Sequence, residues 1–346
     1  MPDNTLIIPN HFDPAKTGEI WRVEYQYLAN QAEQWAQSYQ IPPASQDRFR
    51  ICLLLVDIQN TFCIPGFELY VGGRSGTGAV DDNIRLCRFI YHNLHKISSI
   101  MPTMDTHHPM QVFHQVFLVD KYGQHPDTFT SITEEDILEG RWRFNPALSQ
   151  TLNISYEYGQ EYLKHYARKL KESGKYNLTV WPYHAILGGI GHALVPAVEE
   201  AVFFHSLARA TQASFQVKGD NPFTEHYSVL GPEVTKGPQK EPIGRKDQTI
   251  FQTLVDYDAV IIAGQAKSHC VAWTIADLLK DVLNTDKSLV EKVYLLEDCT
   301  SPVVIPGVID YTEVADATFQ RFARAGMHIV HSQEPLQNWP GILQGA

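Results

Sequence analysis

The feature that most constrains this chain is a series of short apolar runs, too continuous to be strands with one wet face. They are "ICLLLVDI" (51–58), "ISSIMPTMDT" (97–106), "SFQVKG" (214–219), "AVIIAG" (259–264), "KVYLLEDC" (292–299) and "MHIVHS" (327–332). Strands of this kind are covered on both faces, which is the habit of parallel sheets. Between them lie "AVDDNIRLCRFIYHNLHKI", "HALVPAVEEAVFFHSLARA", "VAWTIADLLKDVL" and "YTEVADATFQRFARAG", whose apolar residues recur at helical spacing. The last ends on Gly326, a suitable helix stop before the final strand. The alternation predicts a three-layer α/β fold: a mostly parallel six-stranded sheet with helices on both faces and right-handed crossovers.

Three segments break this rhythm. Residues 1–48 read as an N-terminal extension with a helix around "WRVEYQYLANQAEQWAQSY", ahead of a main domain at 49–346. Residues about 115–178, with "EEDILEGRWRF" and the charged run "YGQEYLKHYARKLKESGKY", read as an insertion between core elements. Residues about 229–248, "VLGPEVTKGPQKEPIGRKDQ", read as a long loop, a length that is uncommon unless it serves function or assembly.

A formal net charge of −11 leaves no basic stripe to neutralise phosphates, which argues against a nucleic-acid or anionic-membrane partner. No apolar run reaches membrane-spanning length, and the start lacks the basic and apolar regions of a signal peptide. The five cysteines (Cys52, Cys63, Cys87, Cys270, Cys299) are odd in number and scattered, without a CxxC pair. They read as reduced thiols of a cytoplasmic protein.

In an open parallel sheet, ligands bind beyond the carboxyl ends of the strands. The first run leads into Asp57, the second into "MDTHHP", the third into Lys218 and the fourth into "GQAKSHC" with Cys270. Singly, each has an ordinary explanation: Asp57 as a turn cap, Lys218 as a surface lysine, Cys270 as a small buried hydrophobe. Together they place a carboxylate, an ammonium and a thiol on one rim. A free thiol with a pKa of about 8.5 is mostly protonated at neutral pH, and a helix N-terminus or a nearby cation favours its thiolate. Asp57 is then placed to take the thiol proton, Lys218 to hold that carboxylate, and N–H groups at the helix start to face an oxyanion.

These residues carry a resemblance. "VDIQNTF" (56–62), "MDTHHPMQVFH" (104–114), "WPYH" (181–184), "VKGDNPFTEHYS" (217–228) and "AGQAKSHCVAWTIADL" (263–278) resemble, in order, motifs of the nicotinamidase/isochorismatase-like cysteine hydrolases. The resemblance runs from about residue 50 to the end, the insertions excepted. It implies the isochorismatase-like hydrolase fold, with an Asp–Lys–Cys triad falling on Asp57, Lys218 and Cys270. It also implies a cis peptide at Gln265–Ala266 and an oxyanion hole from the N–H groups of Ala266 and Cys270. The nicotinamidase branch implies a divalent metal, zinc with iron or manganese as alternatives, on positions resembling Asp105, His107, His114 and His184. A plain hydrogen-bonded histidine patch is the other explanation, and "His-His-Pro" leaves His107 and His108 both open as the ligand. Phe62, Trp181 and Tyr227 match aromatic pocket positions, Phe62 fitting core packing almost as well, and His269 belongs with them.

The function this implies is a nicotinamidase-like amidohydrolase, acting on a small-molecule carboxamide through a thioester. Ala185, Lys267 and Ser268 depart from the pattern, and with the insertion they favour another amide or an N-carbamoyl group as the alternative substrate. A non-enzymatic binding protein on the same fold is a further alternative, at odds with an intact triad. The extension and the long loop suggest a homo-oligomer.

Overall fold

The computed structural model describes residues 6–342. Each of the six apolar runs contains a strand of one sheet: β1 (Ile51–Val56), β2 (Ser99–Asp105), β3 (Gln216–Lys218), β4 (Ala259–Gly264), β5 (Val293–Leu296) and β6 (His328–Val330). Their order is β6-β5-β4-β1-β2-β3. β1 pairs in parallel with β2 and with β4, and β4 with β5 and β5 with β6 likewise. Every residue of β1, β2, β4 and β5 is buried, as the unbroken apolar runs predict.

The long helices are α1 (Tyr25–Ser38), α2 (Gly78–His92), α3 (Tyr156–Ser173), α4 (Pro196–Ala208), α5 (Gln248–Val255), α6 (Cys270–Thr285) and α7 (Thr312–Arg324). Ile51, Leu53 and Leu55 of β1 join a core with Leu86, Phe89 and Ile90 of α2 and Val198, Val202 and Phe204 of α4. Cys52, Leu54 and Val56, alternating with them, face the other side and are equally buried, and α6 packs there on β4 and on α7. The three-layer reading therefore holds. Among the described residues no helix is long and apolar enough to cross a membrane.

The chain divides into two compact units. The first gathers the described residues up to Met104, Ala193–Val217 and those from Gln248 onward. In it the N-terminal extension is part of the core, because α1 packs along α4. Arg209, fully buried after α4, meets Asp47 and donates from Nε to the Ile97 carbonyl at 3.4 Å.

The second unit comprises Asp105–His192 and Lys218–Asp247, and so holds the segment read as an insertion and nearly all of the long loop. Its α3 turns Tyr162, Leu163, Tyr166 and Leu170 inward at helical spacing. The loop is fastened along this helix: Tyr158 bonds Glu241, His165 Nε2 bonds the Lys236 carbonyl at 2.8 Å, and Lys175 pairs with Glu233 at 2.7 Å.

Candidate active site and metal-binding cluster

In the first unit, the register pairs Val56 with Gly264, so Asp57 and the loop leading to Cys270 leave the sheet side by side. Gly264 has a φ of +119°, and a Cβ there would lie 2.1 Å from the Val56 carbonyl oxygen. Only glycine lets the two chains approach this closely. Asp57 is fully buried and adopts a left-handed φ of 47°. Its N–H donates to Thr103 Oγ1 at 3.0 Å, and the same hydroxyl donates to Asp57 Oδ1 at 2.5 Å. The Gln265–Ala266 peptide is cis. The Ala266 carbonyl then accepts from the N–H groups of His269 and Val271, and α6 begins at Cys270, which is 7% exposed. The thiol thus stands at a helix N-terminus, where N–H groups lack intrahelical partners and the helix dipole favours negative charge.

Burial pushes Cys52 up to about 12, and Cys63, Cys87 and Cys299 well above the ordinary thiol range. Lys267 and Ser268, the departures from the family pattern, have structural partners. Lys267 is held by Glu297 at 3.0 Å and Asp316 at 2.6 Å, over the ring of Phe319. Ser268 Oγ meets His269 Nδ1 at 2.8 Å and accepts the Val303 N–H at 3.0 Å. His269 stacks edge-on with Tyr311, and burial lowers its pKa to about 3. Phe62 lies in the short helix Asn60–Cys63 and packs into the core.

In the second unit, isolated bridges set His107 beside Ile186 and His114 beside Trp181, which brings His184 to the histidines of the earlier segment. Asp105, His107 and His184 place ligand atoms within 4.8 Å of one another. His107, not the exposed His108, belongs to this group. Each histidine has its Nδ1 on a backbone carbonyl: His107 on Gly219 at 3.0 Å, His184 on Pro182 at 2.7 Å, His114 on Pro109 at 3.1 Å. With Nδ1 on a backbone carbonyl, Nε2 is the ring atom each histidine would offer to a cation, the arrangement typical of metal-binding imidazoles. His107 Nε2 lies 2.8 Å and His184 Nε2 3.7 Å from Asp105 Oδ2.

His114 stands further out, its ring 6.1 Å from both other histidine rings. Its Nε2 is buried with no hydrogen-bond partner among the described residues. Burial, then the two neighbouring imidazoles, lower its pKa to about 3, so it stays neutral. Imidazole nitrogens gathered beside a buried carboxylate, with His114 Nε2 left over, fit a divalent cation. Gly219, at a φ of +94°, again has no room for a side chain: a Cβ would lie 2.7 Å from Asp105 Oδ1.

Two further features of this unit were missed in the sequence. Lys218 Nζ lies 3.0 Å from Asp105 Oδ1 and donates to the His226 carbonyl at 2.9 Å, so the Asp105 carboxylate is one of the lysine's partners. Burial pushes Asp105 up, but His107, Lys218 and the hydrogen bonds of His107 and His184 outweigh it and hold its pKa well below the ordinary value. Trp181 and Tyr227 turn their polar ends to the buried Glu225, at 3.2 and 2.6 Å, and Tyr166 reaches its other oxygen at 2.9 Å. Burial raises Glu225 to about 7. The Glu two residues before Tyr227 in "TEHYS" was the available signal, but nothing local says the carboxylate points inward.

No family model matches the sequence, and no curated protein matches it. Solved structures do. A nicotinamidase/pyrazinamidase from Acinetobacter baumanii is 16% identical and covers 83% of this chain and 98% of its own, with a TM-score of 0.47. The yeast nicotinamidase bound to the inhibitor nicotinaldehyde is 16% identical, covering 81% and 99%, with a TM-score of 0.49. A pyrazinamidase of Pyrococcus horikoshii in complex with zinc is 18% identical, covering 81% and 98%, with a TM-score of 0.41. The chain is similar to these hydrolases. At such identities and TM-scores the likeness carries no function to it.

Proposed function

We propose that this protein is a cysteine-dependent amidohydrolase that converts a small carboxamide, nicotinamide or a related ring amide, to its acid and ammonia. The observation that carries the reading is the thiol of Cys270 at the entrance of α6, reached from β4, which pairs with β1, the strand that leads into the buried Asp57. Asp57 takes the thiol proton, and Lys218 supplies the cation of the triad. The sulfur attacks the carboxamide carbon, forming a C–S bond while the carbonyl electrons move onto oxygen. The N–H groups of Ala266 and Cys270 stabilise that oxyanion. The C–N bond breaks, and ammonia leaves with the proton held by Asp57. Water, losing a proton to Asp57, then cleaves the thioester, releasing the acid and restoring the thiol.

Asp105, His107 and His184, with His114 as a further donor, would hold a divalent ion, zinc in the first place and iron or manganese as alternatives. Bound there, the ion supplies a Lewis-acid point to which a ring nitrogen or a water can attach. Phe62, Trp181, Tyr227 and His269 are proposed to wall the substrate, the first three as flat surfaces.

An amide or N-carbamoyl substrate of another shape is the second reading. It is favoured by the extra structured segment around α3, which elaborates the unit that contains the cluster. A panel of amides, with nicotinamide and pyrazinamide beside aliphatic amides and N-carbamoyl compounds, separates the two by ammonia release. Release from a ring carboxamide that Cys270→Ala abolishes supports the first reading, and release only from an N-carbamoyl compound replaces it with the second. Unchanged release by Cys270→Ala would sink both.

A further inference from the structure

A glutamine stands where the apolar strand β4 ends, and it is buried, at 1% exposure. Both ends of its amide are met. Gln265 Nε2 donates to Asp82 Oδ2 at 2.8 Å, and Oε1 accepts the Ser301 N–H at 3.3 Å. The backbone N–H of Gln265 donates to the Val56 carbonyl at 2.8 Å. On the other side of Ala266, the Lys267 N–H donates to the Ser301 carbonyl at 2.8 Å. One residue, Ser301, therefore grips the chain both before and after Ala266.

Asp82, on α2, is itself anchored. It is 2% exposed, accepts from Arg85 Nη2 at 2.8 Å, and Arg85 Nε donates in turn to the Asp298 carbonyl. An apolar side chain at position 265 would satisfy burial without any of these bonds. What the polar clamp adds is orientation, since each of its bonds is directional.

We infer that Asp82 is a positioning residue: acting through Gln265, it fixes the backbone at Ala266, whose N–H is one of the two oxyanion donors. The inference rests on the cysteine amidase reading above. Oxyanion donors act only when aimed at the place where charge develops, and losing one costs about 10²–10³-fold in kcat. Loosening one costs less, so breaking the clamp is expected to lower kcat by about 10–100-fold, with KM within about threefold.

The test is a charge exchange across the clamp, read by steady-state kinetics on the amide turned over best. Gln265→Glu sets two carboxyl groups against each other and should show that loss of kcat. In the double variant Asp82→Asn/Gln265→Glu, the amide introduced at 82 donates to the carboxylate at 265 and still accepts from Arg85. Its kcat should return to within about threefold of wild type. The rate at which iodoacetamide alkylates Cys270 should stay unchanged in all three proteins, because it reads the thiol and not the oxyanion. A merely structural role would move KM, alkylation and melting temperature together, and that pattern would overturn the inference. If Gln265→Glu does not fold, Gln265→Leu removes the same bonds without adding charge and should show the same fall in kcat.

Wild-type kcat in Gln265→Glu, or no recovery in the double variant, removes the clamp. Where Cys270→Ala is inactive in the same assay, the amidase reading stands in either case. A wild-type protein that releases ammonia from no amide removes the amidase reading, and the clamp with it.

Discussion

At Asp57 one threonine does two things. The Thr103 hydroxyl accepts the backbone N–H that holds Asp57 in its left-handed conformation, and it donates to the carboxylate. Thr103→Val removes both bonds while nearly keeping the volume. A hydrogen bond to a charged group is worth roughly 1.5–3 kcal/mol. The variant should therefore lose about 10–100-fold in kcat/KM for ammonia release, with the fold retained by circular dichroism. Asp57→Asn, which removes the base itself, should lose about 10²–10⁴-fold. Asp57 and Cys270 could be found in the sequence because each follows an apolar run, and a parallel sheet brings such ends together. The Gln265–Asp82 bond could not, since 183 residues separate its partners and no local pattern marks them. The same holds for Lys218 on Asp105, 113 residues apart. There the sequence identified the ammonium and missed this partner.

Elements were legible in proportion to how much of their stability is local. All six strands and helices α4 and α7 lie within the segments that periodicity marks, and α2 and α6 overrun theirs by one or two residues, because burial on both faces leaves an unbroken apolar run. The extension was legible as a helix but not as core, since what binds it is long-range: the packing of α1 along α4 and the meeting of Arg209 and Asp47. Arg209→Met leaves Asp47 without its buried partner and should cost about 3 kcal/mol, read as a lower urea midpoint at unchanged m.

The candidate metal cluster depends on short segments joined by isolated bridges, which sequence patterns do not encode. A cation bound there would tie those segments together. Elemental analysis of purified wild type should find about one divalent ion per chain, and His184→Ala should lose it. A chelator should lower the melting temperature of wild type and leave that of His184→Ala unchanged. An equal shift in both proteins would argue for a plain histidine patch.

On the scale of the whole molecule, stability should carry the mark of Glu225. Burial raises its pKa from 4.5 to about 7, against hydrogen bonds from Tyr227, Tyr166 and Trp181 that lower it. Between those values the folded chain keeps a proton that the unfolded chain has released. Stability from this group therefore falls as pH rises through that window, by up to about 3 kcal/mol. His205, buried and lowered to about 4, works in the opposite direction: between 6.5 and 4 the unfolded chain binds a proton that the folded chain excludes, so stability is lost as pH falls. The wild-type curve mixes the two. The difference between wild type and Glu225→Gln isolates the carboxyl: the variant should gain relative stability from pH 5 to pH 8 in urea titrations. A constant difference across that range would mean that Glu225 is ionised in the folded chain at pH 5.

The measurement closest to the central claim is the mass of the Cys270 peptide after turnover is stopped in acid. Wild type mixed with a saturating carboxamide and quenched during turnover should carry the acyl group on Cys270: the mass of the amide less that of ammonia. No such adduct should form on Cys52, Cys63, Cys87 or Cys299. An acyl group on another residue, or ammonia release that persists in Cys270→Ala, would contradict the account.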